Sequence, residues 1–162
     1  MTAHVRIEPL TAAAFAPYGD VLEAAGAPDR VINDGLCGRF HDRARLDFGP
    51  DGRAGISVFH AEPRSLPLSL SLLERHPEGS QAFVPMSADP FLVIVAADAQ
   101  GAPTEVHAFR TGPGQGINIL RNTWHGVLTP LVGPGLFAVI DRIGATPNLE
   151  EHRLVVPLVI SD

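Results

Sequence analysis

The chain contains no lysine: all 12 of its positive side chains are arginine, set against 18 acidic residues in a total of 162. A lysine Schiff base is thereby excluded, and any anion must be held by guanidinium groups or backbone N–H groups. The formal net charge of −6 leaves no broad basic surface, so nucleic acid is not an expected partner. Cysteine occurs once, at Cys37, which rules out an intrachain disulfide and fits a reducing, cytoplasmic setting. Its neighbours Asp34, Gly35, Leu36 and Gly38 read as a turn, not as the surroundings of a catalytic thiol. Long apolar runs are also missing. No window nears the roughly 18 uninterrupted apolar residues of a membrane span, so no membrane association is expected. The stretch from Met1 to Leu10 carries His4, Arg6 and Glu8 where a signal peptide would have an apolar core.

What the chain does have is punctuation. Sixteen glycines and 15 prolines recur at short intervals, as in Gly49-Pro50-Asp51-Gly52, Gly112-Pro113-Gly114 and Gly133-Pro134-Gly135. These breaks separate short apolar runs, the pattern of an all-β sandwich or barrel. No linker or repeat divides residues 1–162, so a single domain is expected. One short helix is expected near the N-terminus, capped by Thr11 and running through Ala12 to Phe15 before Pro17 and Gly19 stop it. Strands are expected over Val5–Leu10, Gly55–Ala61, Leu66–His76, Ser80–Pro85, Phe91–Ala97, Glu105–Arg110, Gly116–Leu120, Trp124–Leu128, Leu136–Asp141 and Arg153–Val159.

The run from Leu66 to His76 is the most informative. Leu66, Leu68, Leu70 and Leu72 alternate with Pro67, Ser69 and Ser71, so in a strand the leucines share one buried face. Continued in the same register, Glu74 and His76 enter the interior beside them and Arg75 points outward. An acid and an imidazole on consecutive inward positions would be costly without partners. The alternative is that the strand stops at Leu73 and the segment from Glu74 to Gly79 is a solvated turn.

The segment Leu73-Glu74-Arg75-His76-Pro77-Glu78-Gly79-Ser80-Gln81-Ala82-Phe83-Val84-Pro85-Met86 resembles the signature of the ureidoglycolate lyase family. Three further stretches are similar to the same family and occur in the same order. They are Ile32-Asn33-Asp34-Gly35 with Arg39-Phe40-His41-Asp42, then Gly116-Ile117-Asn118 through Arg121-Asn122-Thr123-Trp124-His125, then Ile140-Asp141-Arg142. Together they reach from about Pro9 to Asp141; the tail after Gly144 carries no comparable signal. The resemblance implies a cupin-like double-stranded β-helix, a jelly-roll barrel, usually assembled as a homodimer. It implies a lyase that releases urea from ureidoglycolate to leave glyoxylate, in allantoin and purine degradation. The resemblance suggests a divalent metal as cofactor, nickel in particular, and no organic cofactor. A typical cupin holds its ion with His-x-His, a Glu five residues on and one later His. In this chain Glu74, His76, Gln81 and His125 stand at those positions, a weaker cage, because an amide is a neutral and poor ligand.

Elimination of urea from a hemiaminal needs a base for the hydroxyl proton, a donor for the leaving nitrogen and a clamp for the carboxylate. Glu74, His76 and His125 are the catalytic candidates, either as metal ligands or, without a metal, as base and acid. Gln81 completes the shell or donates to substrate. Arg39 and Arg121 are candidates for the carboxylate, Asn33 and Asn118 for the ureido group, and Trp124 for an apolar wall. Plain alternatives stand beside these: Asn33 stabilising a turn, Arg121 as surface charge, Trp124 as core, and Asp141 paired to Arg142 between strands. His4, His60, His107 and His152 lack partners at ligand spacing. Other functions stay open on the residues alone: a cupin hydrolase releasing ammonia and carbon dioxide, an isomerase or dioxygenase, or a barrel that binds a small molecule without turnover.

Overall fold

The computed structural model describes residues 3–162 and is all-β apart from one turn of helix. In chain order the elements are β1 (His4–Pro9), α1 (Ala12–Phe15), β2 (Gly19–Leu22), β3 (Arg30–Ile32), β4 (Cys37–Arg39), β5 (Arg53–His60), β6 (Leu68–Arg75), β7 (Gln81–Pro85), β8 (Phe91–Ala99), β9 (Ala102–Arg110), β10 (Gly116–Ile119), β11 (Trp124–His125), β12 (Thr129–Pro130), β13 (Leu136–Ile143) and β14 (Glu150–Ser161). The helix is capped as expected, with Thr11 Oγ1 accepting from the Ala14 N–H at 3.2 Å.

Six strands close into a ring in the order β11-β6-β14-β1-β9-β8, since β11 pairs with both β6 and β8. A second sheet, β2-β10-β7-β13-β5, lies against part of it. This bears out the cupin-like barrel. The packing follows from the apolar run of β8, which is buried on both sides. Leu92, Ile94 and Ala96 fill the ring with Leu70, Leu73, Val106, Ala108, Trp124 and Ile160. On the other side Phe91, Val93 and Val95 meet Phe83, Ile117, Ile119, Phe137 and Val139 of the second sheet. A strand covered on both faces needs no polar alternation.

The register expected for Leu66–His76 is corrected. Leu66, Leu68 and Leu70 do pack inside the ring, but the next residue to join them is Leu73, not Leu72. The register against β14 jumps between Arg153 and Leu158, a step of five positions on β14 against two on β6, from Leu72 to Leu70. A shift by an odd number of residues exchanges the two faces. Leu73 and Arg75 therefore stay on the ring side, while Glu74 and His76 turn to the opposite side, toward the second sheet. Arg75, expected to point outward, is largely buried: it pairs with Asp98 at 2.7 Å and Glu150 at 2.6 Å and lies 4.6 Å from the Trp124 ring centroid.

Strands β2, β3, β4 and β12 are additions to the sequence expectation, and the strand expected over Trp124–Leu128 is confined to two residues. The last strand, with the least sequence signal, is the longest at 12 residues and sits between β6 and β1. The β3–β4 hairpin is exposed along its whole length, with Leu36 at 89%. The outer face of the second sheet is apolar as well: Val58, Ala138 and Val84 form one row across β5, β13 and β7, with Ile56 beside them 76% exposed.

Candidate active site

Four of the residues singled out in the sequence come together where the ring meets the second sheet. Glu74 and His125 are direct register partners across β6 and β11, and His125 in turn faces Val95 on β8. His76 follows the end of β6. Gln81, at the start of β7, reaches in from the second sheet, on the same face as Phe83. Ligand atoms of Glu74, His76 and His125 all lie within 4.8 Å of one another, and the two imidazole centroids are 5.1 Å apart. The Glu74 carboxylate lies 4.0 Å from His125 Nδ1.

Both imidazoles are oriented by backbone carbonyls. His76 Nδ1 is 2.7 Å from the Asn148 carbonyl oxygen, and His125 Nδ1 is 3.0 Å from that of Gly126. A carbonyl only accepts, so each Nδ1 carries the hydrogen, and Nε2 of each ring is directed elsewhere. His76 Nε2 faces Gln81 Oε1 at 3.1 Å. His125 Nε2 is buried with no hydrogen-bond partner among the described residues. That pattern, with Nδ1 held by a backbone acceptor and Nε2 free, is how metal-binding histidines are prepared. The carboxylate and the Gln81 carbonyl add oxygen donors, so the residues fit a divalent cation held by Glu74, His76, His125 and Gln81.

Burial dominates the electrostatics. It pushes the His125 imidazole down to about 4, assisted by the nearby His76, with the Gly126 carbonyl opposing. His125 is therefore neutral at pH 7. Burial also raises the Glu74 carboxyl, with His76 opposing and Glu151 reinforcing the rise. A buried carboxylate of raised pKa is a stronger base than a solvated one.

The other candidates lie elsewhere. Trp124 points from β11 into the ring core, 2% exposed, and donates from Nε1 to Asp98 at 2.9 Å; it is a core residue, not a wall of this cluster. Asn118 is on the face of β10 opposite Ile117 and Ile119, where Nδ2 donates to Asp20 at 3.0 Å and to the Arg45 carbonyl at 3.1 Å. It ties the segment around Arg45 to the outer side of the second sheet. Asn33 occupies the β3–β4 turn with φ of 54°, and Arg39 is exposed on β4. Arg121 donates to the Pro77 carbonyl at 2.6 Å and lies 3.6 Å from Asp47. Within one chain, neither Arg39 nor Arg121 is joined to the cluster.

The pairing expected for Asp141 is corrected. Asp141 does not pair with Arg142, which instead meets Glu78 at 3.1 Å. Strand alternation sends the two to opposite faces of β13, and Asp141 accepts from Gln81 Nε2 at 3.1 Å. The signal was present in the sequence as a strand register: Val139 is core, so Asp141 is inward. Asn148, whose carbonyl orients His76, lies in a tail that has no recognisable motif.

The profile of the family described as ureidoglycolate lyase matches residues 2–161. The chain is 62% identical to the ureidoglycolate lyase of Rhodobacter capsulatus over 154 residues, 95% of this chain and 96% of the relative. It is 53% identical to ureidoglycolate lyase 2 of Rhizobium meliloti over 152 residues, 93% of each chain. With the ureidoglycolate lyase of a Chelativorans species it shares 51% over 154 residues, 94% of this chain and 93% of that one. The matches span every element that builds the cluster, from β6 to the segment before β14, and the chain belongs to the ureidoglycolate lyase family.

Proposed function

We propose that this protein eliminates urea from ureidoglycolate to leave glyoxylate, a step of allantoin degradation, and that Glu74, His76, Gln81 and His125 form its site. The observation that carries the reading is the convergence of Glu74, His76 and His125 within 4.8 Å in a chain of this family. In the reaction the C–N bond to urea breaks, a carbonyl forms on the same carbon, the hydroxyl loses its proton and the leaving nitrogen gains one. Glu74, whose basicity is raised by burial, is the group suited to take the hydroxyl proton. His76 is suited to deliver a proton to the leaving nitrogen in its doubly protonated form, from the Nε2 that faces the cluster, while its Nδ1–H stays held by the Asn148 carbonyl. The Gln81 carbonyl and the Nε2 of neutral His125 are acceptors, suited to receive N–H groups of the ureido group. Those acid–base roles apply without a metal; a divalent ion, nickel being one candidate, would instead be held by Glu74, His76 and His125 and would supply Lewis acidity that polarises the substrate oxygens and lowers the hydroxyl pKa.

We also infer a cytoplasmic homodimer. Supporting this are the apolar outer face of the second sheet and the unpacked β3–β4 hairpin, whose exposed Val31, Ile32, Leu36, Ile56, Val58, Val84 and Met86 are more than scattered surface hydrophobes. Among the described residues no helix is long and apolar enough to cross a membrane. A Val58→Glu variant should shift the sedimentation coefficient toward that of a monomer; an unchanged value would remove this face from the interface.

The reaction is tested by supplying ureidoglycolate to the purified protein and quantifying urea and glyoxylate together, before and after chelation. Equal yields support elimination, and loss of rate on chelation with recovery on adding metal supports a metal role for the cluster. Ammonia in place of urea would mean hydrolysis. Near-normal turnover in both His76→Ala and His125→Ala would sink the site assignment.

A further inference from the structure

The Gln81 side chain is 7% exposed and spans two groups of different kinds. Its Nε2 donates to Asp141 Oδ2 at 3.1 Å, and its Oε1 lies 3.1 Å from His76 Nε2. A primary amide has one end that donates and one that accepts, whereas a carboxylate only accepts. Asp141 thereby decides which end of the amide faces the cluster. Reversed, the carbonyl would meet a carboxylate and the NH2 group would be aimed at His76 and at the space among Glu74, His76 and His125. Among the described residues no other contact of the Gln81 side chain holds the carbonyl there: with its hydrogen on Nδ1, His76 presents a lone pair at Nε2 and would itself favour the reverse orientation.

We propose that Asp141 is a positioning residue whose carboxylate locks the Gln81 amide with its carbonyl toward the Glu74–His76–His125 cluster. The site then offers a carboxylate, two imidazole nitrogens and a carbonyl, all of them acceptors, to a cation or to a substrate hydroxyl. Asp141 contributes without touching either. The 3.1 Å between Gln81 Oε1 and His76 Nε2 suits this arrangement, because bonds of about 2 Å to a single ion leave neighbouring ligand atoms roughly 3 Å apart. The inference rests on the cluster being the functional site.

The test uses metal-free protein titrated with Mn2+ by calorimetry, together with the side-chain 15N–1H amide signals of Gln81 in the same metal-free samples. In the parent protein the Gln81 NH2 pair should be resolved and protected from exchange. Asp141→Asn, nearly isosteric, leaves the amide free to take either orientation. Its Gln81 signals should lose protection, and Mn2+ affinity should fall by about 10- to 100-fold, the usual effect of removing a partner that orients a ligand. Gln81→Glu alone sets two carboxylates against each other and should lower the melting temperature. The double variant Asp141→Asn with Gln81→Glu reverses the hydrogen bond, since the new amide can donate to the new carboxylate. It should restore both the melting temperature and Mn2+ affinity to at least the parent level. A merely structural Asp141 would give no such rescue. Unchanged Gln81 signals and unchanged Mn2+ affinity in Asp141→Asn would overturn the proposal. If the parent binds no Mn2+ while its Gln81 signals still depend on Asp141, the positioning role stands and the cation reading of the cluster fails.

Discussion

Acidification should destabilise the metal-free protein in a way that can be traced to His125. This side chain is 2% exposed, and burial together with His76 lowers its pKa from the ordinary 6.5 to about 4. The unfolded chain takes up the proton near pH 6.5, the folded chain only near 4. Between those values the unfolded state binds more protons, so stability falls as the pH falls. The whole separation amounts to about 3 kcal/mol, of which about 2 kcal/mol is lost between pH 7 and pH 4.5 by linkage. Glu74 acts with the opposite sign, because its raised carboxyl gains a proton in the folded state first. A comparison with His125→Gln, neutral at every pH, cancels most of that contribution. Urea unfolding in the presence of chelator, at half-unit steps from pH 7 to 4.5, should show the parent protein losing about 2 kcal/mol more than the variant. Parallel stability curves for the two proteins would refute the reasoning, since they would mean that His125 is protonated as readily inside the fold as outside it.

Three further outcomes are expected. Leu73→Ala, at a position fully buried in the ring core, should cost 2–5 kcal/mol, read as a lowered urea midpoint with an unchanged slope. Asp98→Ala removes the acceptor of Trp124 Nε1 and a partner of Arg75. It should lower the melting temperature and shift the fluorescence of the single tryptophan; an unmoved emission maximum would show that the indole has found another partner. At Gly19 a Cβ would run into the Asn118 carbonyl oxygen, so Gly19→Ala should force β2 off β10. Amide exchange at Val21 and Ile117, register partners across that pair, should then accelerate.

Much of the fold could be read from local pattern. The apolar run of β8 and the alternations of β1, β5 and β13 announce strands, and turns rich in glycine and proline separate them. The register jump along β6 could not be read, because its cause lies on β14, some 80 positions away, where Arg153 and Leu158 face residues only two apart on β6. Continuing the leucine alternation put Glu74 and His76 inside, as observed, but against the wrong core. At the site, Glu74, His76, Gln81 and His125 were legible through their spacing and the family resemblance. Asn118 and Trp124 were not separable from them in sequence, being neighbours of site or core residues on strands whose faces are set by pairing. Asp141 was obscured by Arg142, a ready partner in sequence that the strand turns away. Asn148 was invisible because it acts through a backbone carbonyl, which every residue type possesses.

The two-residue strand β11 has a consequence for how this chemistry can change. It closes the ring between β6 and β8, and its two side chains point in opposite directions: Trp124 into the ring core, His125 into the site. Two residues leave no slack over which a shift could be absorbed. Moving the imidazole by a fraction of an ångström would drag the indole through a packed interior or unfasten the seam of the ring. Evolution at this site is therefore channelled toward exchanging side chains on a fixed scaffold, most freely at Gln81 and Asp141, whose sheet is not part of that closure. Variation in reactivity among proteins built this way should come from the second sheet, with the ring acting as an anvil that stays the same.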